Sequence, residues 1–269
     1  MLEILKQACK RILADLSHNP LVRHYYQGQG VIFTLHRVVD TQEKLPKSIG
    51  VSTAFLDSFM TLLKDRGFSF VGLDEICDLL QKGKHFSKIV HWTLDDGFQC
   101  TLDHALPIFK AHNAPFTTYI CTDLIDRMEA DSLDWSDGLE MLDWEGVKAL
   151  HAHPLCTIGG HTKSHPKLSQ LPTRESVLEQ IQKGNAILQT HLGQKIYHFA
   201  YPYGRVGTAG LREVEVVQEL GLKSAVTTRR GTLYPEHKDF LTCLPRVMLE
   251  DGFKLHEIWR LRKHRIATL

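Results

Sequence analysis

Short apolar segments with the pattern of buried strands alternate with helical segments along most of this 269-residue chain. Strands that alternate with helices form βαβ units, in which the strands run parallel. Seven or eight such units would close into a regular or a distorted barrel. The predicted strands cover residues 30–36, 68–73, 87–92, 114–121, 155–159, 197–201, 223–228 and 242–248. The predicted helices lie between Ser52 and Gly67 and over residues 74–81, 99–111, 144–152, 173–191, 211–220 and 253–264.

The composition is that of a globular chain with a full core, since 43% of the residues are hydrophobic and 23% are charged. A formal net charge of +1 provides no general attraction to nucleic acid, and we predict no nucleic-acid partner. The six cysteines have no CxxC spacing, which indicates reduced core residues. No apolar run approaches the roughly 20 residues that a membrane span requires.

The first 28 residues are predicted to form a helical extension of a domain that covers residues 29–269. Apolar residues recur at helical spacing over residues 1–16, with lysine and arginine between them. This amphipathic pattern differs from the continuous apolar core of a signal peptide, so we expect a cytoplasmic protein. The helix either packs on the domain or contacts a partner or the surface of the inner membrane.

Two adjacent carboxylates, Asp95 and Asp96, precede Gly97 at the end of the third predicted strand. The carboxyl ends of parallel strands are where α/β folds bind ligands. Neighbouring aspartates repel each other unless a cation or a shared proton neutralises one of them. A functional site is one interpretation of this segment, and a polar turn that caps the next helix is the other.

His161 and His165 follow another predicted strand and are four residues apart. On a helical turn, this spacing would place both rings on one side, where they can hold one ion. Together with one aspartate they would form a site with open coordination positions, which is typical of a catalytic metal. The other aspartate would then act as a base toward metal-activated water. Two solvated loop histidines are the alternative.

Two further strand ends carry candidate groups. The turn that contains Tyr203 and Gly204 is suited to expose a backbone N–H as an oxyanion donor, or it simply closes the rim of the barrel. His36, at the end of the first strand, is a candidate acid for the departing amine, or a rim residue.

Three segments in order resemble the motifs of the polysaccharide deacetylases, the NodB-homology family. They are Thr-Leu-Asp-Asp-Gly at 93–97, Gly-His-Thr-Lys-Ser-His-Pro at 160–166 and Phe-Ala-Tyr-Pro-Tyr-Gly at 199–204. The resemblance extends over about residues 30–250. It implies a distorted (β/α) barrel of about seven parallel strands. It also implies metal-dependent hydrolysis of an N-acyl group, with N-acetyl the first expectation, on an amino sugar in a glycan or glycan precursor.

Carried over by position, the resemblance makes Asp95 the general base and Asp96, His161 and His165 the metal ligands. Tyr203 would supply the backbone oxyanion donor. A divalent metal is implied, and Zn²⁺ is our expectation from the ligand types, with Co, Ni, Fe and Mn as alternatives.

The chain departs from the family pattern in two places. The usual Leu-x-His near the C-terminus is absent, and Leu-Pro-Arg-Val stands at 244–247. Some members look circularly permuted, with the acid histidine on an N-terminal strand before an arginine. Leu-His-Arg-Val at 35–38 fits that variant, so His36 is the expected acid. The arginine before the third motif is also missing, and Arg246 either replaces it as the partner of the catalytic aspartate or is a surface charge.

The expected substrate contacts are Tyr201, Pro202, Tyr203 and Trp135; core or rim packing is the alternative for these aromatic residues and for Trp144. The acidic residues Asp131, Asp134 and Asp137 either touch sugar hydroxyls or solvate their loop. A nucleotide-linked or lipid-linked sugar suits a cytoplasmic enzyme. The alternatives are deformylation, hydrolysis of a non-sugar amide, or a catalytically silent sugar-binding protein. The sequence indicates no oligomeric state.

Overall fold

The computed structural model describes residues 28–40, 50–125 and 140–260. Its strands are β1 (Gly30–Leu35), β2 (Arg37–Val39), β3 (Gly50–Ser52), β4 (Ser69–Phe70), β5 (Ile89–Leu94), β6 (Phe116–Ile120), β7 (Cys156–Gly160), β8 (His198–Ala200), β9 (Ser224–Arg230) and β10 (Leu244–Met248). The helices are α1 (Thr53–Asp65), α2 (Leu73–Gln81), α3 (Leu106–Ala111), α4 (Trp144–His151), α5 (Arg174–Leu192) and α6 (Leu211–Glu219).

Seven parallel strands close into a barrel in the order β1-β10-β9-β8-β7-β6-β5, and β5 pairs with β1 along the full length of both strands. The short strand β4 pairs only with the first two residues of β5, and β2 and β3 form a separate two-stranded sheet. The predicted α/β barrel is therefore confirmed. It keeps the carboxyl ends of all seven strands at one rim.

The barrel wall separates two environments. The outward side chains Val90, Trp92 and Leu94 of β5 join the large apolar cluster beneath the helices. The alternate residues His91 and Thr93 face inward and make polar contacts with other strands across the lumen. Continuous burial of all six β5 residues follows from this two-sided covering, as expected for parallel strands.

Helix α5 begins and ends as its sequence predicts. The side chain of Thr173 accepts a hydrogen bond from the backbone N–H of Ser176, and Gly193 closes the helix in the left-handed conformation. The N-cap of α1 has a more distant partner, because both the N–H and the hydroxyl of Ser52 donate to the Asp251 carboxylate. This bond ties the segment after β10 to the first helix.

Three predicted elements differ from the observed ones. The strand predicted at 68–73 is reduced to Ser69–Phe70, because β6 occupies the rest of that edge of β5. The helix predicted at 99–111 starts with a π-helical turn, Thr101–Ala105. The helix predicted at 253–264 is a 3₁₀ helix, Leu255–Arg260, within the described residues. The helix predicted within residues 1–16 lies outside them and stays a prediction. Among the helices that the structure describes, none combines the length and apolar character needed to cross a membrane.

The buried imidazole of His91 makes the folded state sensitive to pH. Its Nδ1 donates to the carbonyl of Val71 at 2.8 Å, so Nε2 is the acceptor that faces the Thr117 hydroxyl at 2.9 Å. Burial lowers the pKa of His91 to about 3. An unfolded histidine titrates near 6.5, so between these values the unfolded chain binds a proton that the folded chain excludes. This stability contribution is therefore complete above pH 6.5 and is lost as the pH falls toward 3.

We predict that the free energy of unfolding falls by about 2 kcal/mol between pH 7 and pH 5 because of the titration of His91 alone. The variant H91Q retains a donor and an acceptor but does not titrate, so its loss should be smaller by that amount. Chemical denaturation at both pH values measures the difference. H256Q, at an exposed histidine, is the control and should behave like the wild type. Equal losses in the wild type and H91Q would contradict the assignment.

Candidate active site

The carboxyl rim of the barrel collects the candidate residues from distant parts of the chain. Asp95 and Asp96 follow β5, and each is 2% exposed. The backbone N–H of Asp95 donates to Leu35 of the neighbouring strand β1 at 3.0 Å, which continues the pairing beyond the end of β5. His161 follows β7 directly and is also buried. These strand ends therefore converge as the sequence predicted.

Asp96, His161 and His165 bring three potential ligand atoms together. The Nε2 atoms of His161 and His165 lie 3.3 Å and 3.2 Å from the same carboxylate oxygen, Oδ1 of Asp96. One ligand atom from each residue lies within 4.8 Å of the others. Two atoms that share a tetrahedral ion at about 2.0–2.1 Å are roughly 3.3 Å apart, so the spacing fits a Zn²⁺-like cation.

The protonation of the ligands supports the same conclusion. His161 Nδ1 donates to the carbonyl of Ala200 at 2.7 Å, so a neutral ring directs the lone pair of Nε2 at Asp96. Asp96 Oδ1 is buried and accepts no well-formed hydrogen bond from the described residues. Burial alone would lower the pKa of His161, but the Asp96 carboxylate raises it. A divalent cation would satisfy all three groups in place of a proton on His161.

The segment that carries the two histidines is not helical, so the predicted helical turn is wrong. Thr162 and His165 adopt left-handed backbone angles, with φ of 68° and 58°. The His165 N–H donates to the Thr162 hydroxyl at 3.0 Å, which closes a tight loop. This loop, rather than one face of a helix, aims both imidazoles at Asp96.

Backbone strain is concentrated at this site. Six non-glycine residues in the described ranges have positive φ, and four of them surround the candidate metal position: Asp96, Thr162, His165 and Tyr203. A left-handed conformation is unfavourable for a β-branched residue such as Thr162. Such strain persists where the surrounding structure holds it for a function.

Helix α5 holds the histidine loop in place. Lys163 N–H donates to the carbonyl of Gln180, and Ser164 N–H donates to the Gln180 side chain. Gly184 allows this close approach, because a Cβ there would lie 2.7 Å from the backbone carbon of Thr162. The long helix thus supports the ligand geometry directly.

Arg246 lies inside the barrel and not on its surface. It is 0% exposed and pairs with both oxygens of Asp95, Nη1 to Oδ1 at 2.7 Å and Nη2 to Oδ2 at 2.6 Å. Two further donors are used by the Thr93 hydroxyl and the Thr227 carbonyl, each at 2.9 Å. Burial would raise the pKa of Asp95, but the charge and hydrogen bonds of Arg246 outweigh this and lower it. Asp95 is therefore an oriented, ionised carboxylate at neutral pH.

His36 belongs to the same cluster. It lies close enough to Asp96, Asp95 and Arg246 for their charges to act on its ring. Burial lowers the pKa of His36, and the two carboxylates oppose that effect. Its Nδ1 is buried and has no hydrogen-bond partner within the part of the chain that the structure describes. The first strand therefore places an imidazole near the two carboxylates, and its role as the acid stays a prediction.

The predicted substrate contacts are only partly at the cleft. The ring of Tyr201 is fully buried and its hydroxyl donates to the Thr242 carbonyl at 2.9 Å, so the prediction that it stacks on a sugar is wrong. Pro202 is also buried. Trp144 stacks on His191 of α5. Trp135 and the acidic residues Asp131, Asp134 and Asp137 lie outside the described residues.

Tyr203 is the aromatic residue of this group that does reach the cleft. It is 39% exposed, and its ring lies 4.9 Å from that of His165 between centroids. Its carbonyl accepts a hydrogen bond from the Thr228 hydroxyl. Its N–H donates to no acceptor in the ranges that the structure describes. The backbone donor required by the sequence prediction is thus present and unused.

Sequence reasoning missed the residues that support Arg246. Thr93 and Thr227 accept its hydrogen bonds, and Tyr119 lies beneath its guanidinium with the ring centroid 5.7 Å away. Gly159 provides the space, since a Cβ there would lie 2.4 Å from the Tyr119 ring. The alternation of inward-facing and outward-facing side chains along β5 and β6 was the available signal in the sequence. Only the closed barrel shows which inward-facing residues contact each other.

A parallel barrel with an Asp-His-His cluster and an arginine-paired aspartate at its carboxyl rim offers groups able to hold a cation and to accept a proton, which are groups that a hydrolase uses. Comparison with known proteins supports this class. The family model described as "Polysaccharide deacetylase" matches residues 82–225, more than half of the chain, and the chain belongs to that family.

Individual relatives agree in fold. The poly-beta-1,6-N-acetyl-D-glucosamine N-deacetylase of Staphylococcus epidermidis is 22% identical over 216 residues, which cover 77% of this chain and 71% of that protein. The IcaB structure from Ammonifex degensii is 28% identical with a TM-score of 0.70, and the match covers 83% of this chain and 93% of IcaB. The Streptococcus pyogenes deacetylase PplD, solved with acetate, has a TM-score of 0.71 at 20% identity, with coverage of 88% and 99%.

We predict that G184A weakens metal binding although alanine ordinarily favours a helix by up to about 1 kcal/mol. The new methyl group must displace the backbone of Thr162 and with it His161 and His165. A loss of roughly tenfold or more in Zn²⁺ affinity is expected, as for other changes to groups that orient ligands. Competition with a chromophoric chelator measures it. Q182A, at an exposed position of the same helix, is the control. Unchanged affinity in G184A would show that this contact does not position the ligands.

Proposed function

We propose that this protein is a metal-dependent hydrolase that removes an N-acyl group, in the first instance N-acetyl, from an amino sugar in a glycan or glycan precursor. The observation that supports this most strongly is that the two adjacent aspartates have different partners. Asp96 faces two imidazoles, whereas Asp95 is neutralised by Arg246. One carboxylate is thus available to hold a cation and the other to accept a proton.

Asp96, His161 and His165 are the residues that would hold the metal, for which Zn²⁺ is our choice among divalent cations. The bound metal would supply Lewis-acid polarisation of the acyl carbonyl and a more acidic water. Asp95 accepts the proton of the attacking water. Its orientation is set by the two parallel hydrogen bonds from Arg246, so the proton acceptor does not rotate during the reaction.

His36 is the proposed acid for the departing amine. Its Nδ1 is unused by the described residues. Burial lowers the pKa of His36 overall, and the carboxylates of Asp95 and Asp96 oppose that effect. The N–H of Tyr203 is the proposed donor to the developing oxyanion, because it is not engaged elsewhere in the described part of the chain. The Tyr203 ring is the proposed contact for the sugar.

The nature of the sugar rests on the relatives and on the sequence. The Staphylococcus epidermidis relative is named for an N-acetylglucosamine polymer, which supports an N-acetylated amino sugar as the substrate class here. The cytoplasmic location, the contact with the inner membrane and the choice of a nucleotide-linked or lipid-linked precursor stay predictions. They derive from residues 1–28, of which the structure describes only Gly28.

The test is release of acetate and formate from free, nucleotide-linked, lipid-linked and polymeric N-acyl amino sugars, with and without a chelator. We expect chelation to abolish release and added Zn²⁺ to restore it. D95N should lower kcat by about 10²–10⁴-fold while Zn²⁺ still binds, because the base and not a ligand is removed. D65N, at an exposed position of α1, is the control.

Two outcomes would redirect the proposal. Release of formate alone would favour the deformylase alternative. A wild-type protein that binds Zn²⁺ and glycan but releases no acyl product would be a catalytically silent sugar-binding protein. D95N leaves the Arg246 guanidinium buried without its carboxylate, so the thermal unfolding of D95N is measured alongside its activity. H36Q provides a second variant whose substitution lies outside that ion pair.

A further inference from the structure

A lysine lies over the aromatic residue that borders the candidate metal site. Lys167 Nζ is 5.3 Å from the centroid of the Tyr203 ring, and that ring packs against the ligand His165. Lys167 is exposed, but the next residue, Leu168, is completely buried and anchors the backbone beside it. The ammonium group therefore lies next to the cleft, over the Tyr203 ring.

The positive charge at this rim is not neutralised by an acidic side chain in the described ranges. Lys167 forms no ion pair with the residues that the structure describes. By contrast, Lys163 on the same loop is paired with Asp123 at 3.0 Å. Asp95, the nearby carboxylate that binds no metal in our proposal, is already matched by Arg246. Lys167 is thus a positive charge beside Tyr203 that belongs to no ion pair among the described residues.

The position of Tyr203 is also fixed from below. Its carbonyl accepts a bond from the Thr228 hydroxyl, and Gly204 packs so closely that a Cβ would lie 2.5 Å from the Thr228 nitrogen. The Tyr203 ring is therefore a rigid support, and the cation over it has a defined place relative to His165. Cation–π contacts of this kind hold a lysine without consuming its hydrogen-bond donors.

We propose that Lys167 is a specificity-determining residue that binds a phosphate on the anomeric carbon of the substrate sugar. This rests on the proposed function, in which the N-acyl group lies at the metal. In a 2-acylamino sugar the anomeric carbon is the immediate neighbour of the carbon that bears the acyl nitrogen. A phosphate there projects only a few bonds from the scissile amide, toward the rim that Lys167 occupies. Nucleotide-linked and lipid-linked sugars share this group.

The test compares kcat/KM for N-acetylglucosamine 1-phosphate with that for its uncharged methyl glycoside. We expect the wild type to favour the phosphate by about tenfold or more, the effect of a charge-assisted hydrogen bond. The preference should shrink as salt is added. In K167M the ratio of the two values should fall toward one. A nucleotide diphosphate sugar and a short prenyl diphosphate sugar then distinguish the two natural sources.

The chain offers a matched control. Lys195 Nζ lies 5.4 Å from the ring centroid of Tyr197, the same type of pair, beside the amino end of β8 and so at the opposite end of the barrel. K195M removes an equivalent surface contact and should retain the wild-type ratio. A ratio that falls equally in both variants would show a general effect of charge and overturn the assignment to Lys167.

The outcomes separate this inference from the proposed function. Faster release from the methyl glycoside or from a neutral β-1,6-linked oligosaccharide than from the phosphate would overturn the inference and leave the deacetylase function standing. If no substrate releases acetate, the proposed function fails, and calorimetry decides the inference. Tighter binding of the 1-phosphate than of the glycoside, lost in K167M, supports it. Equal binding of both compounds, or K167M binding the phosphate like the wild type, overturns it.

Discussion

The buried ion pair between Asp95 and Arg246 joins the two strands that flank β1, since Asp95 follows β5 and Arg246 belongs to β10. Neither charge is tolerable alone in the lumen, because an unpaired buried charge costs about 3–5 kcal/mol when its partner is removed. The pair therefore requires the closed barrel, in which Thr93 and Thr227 accept two further hydrogen bonds from Arg246. The pair also keeps Asp95 ionised beside the second carboxylate, Asp96. The proposed roles, Asp95 as base and Asp96 as metal ligand, require this charge state.

The cluster of Asp96, His161 and His165 depends on a different kind of support. Four residues in left-handed conformations surround it, and the loop from His161 to His165 is fixed by helix α5 through Gln180 and the space left at Gly184. The backbone is thus strained at this rim, and favourable packing elsewhere in the fold offsets the free-energy cost of the strain. Binding of a cation would relieve the electrostatic repulsion between the three acceptor atoms. Because helix α5 holds the loop that carries two of them, metal affinity would depend on the packing of that helix.

Much of this was predictable from local patterns, and the exceptions have physical causes. The strand ends at Asp95 and His161 were anticipated, because strand periodicity and motif order are local properties. For Arg246 the sequence left a pair with the catalytic aspartate and a surface charge as alternatives, and only barrel closure decided between them. Tyr201 was assigned to the substrate, but an exposed rim aromatic and a buried one have the same sequence pattern. The helical turn for His161 and His165 was wrong, since a loop with two positive φ values satisfies the same spacing.

The sequence by itself determined the alternation of parallel strands and helices, the family motifs and the residue types able to hold a cation and accept a proton. These follow from periodicity and side-chain chemistry, which act over a few residues. Only the tertiary structure decided which inward residues meet across the lumen, as Arg246 and Tyr119 do, and that Lys167 lies over Tyr203. Such contacts join segments separated by tens to hundreds of residues, and their geometry is set by barrel closure and by packing against helix α5.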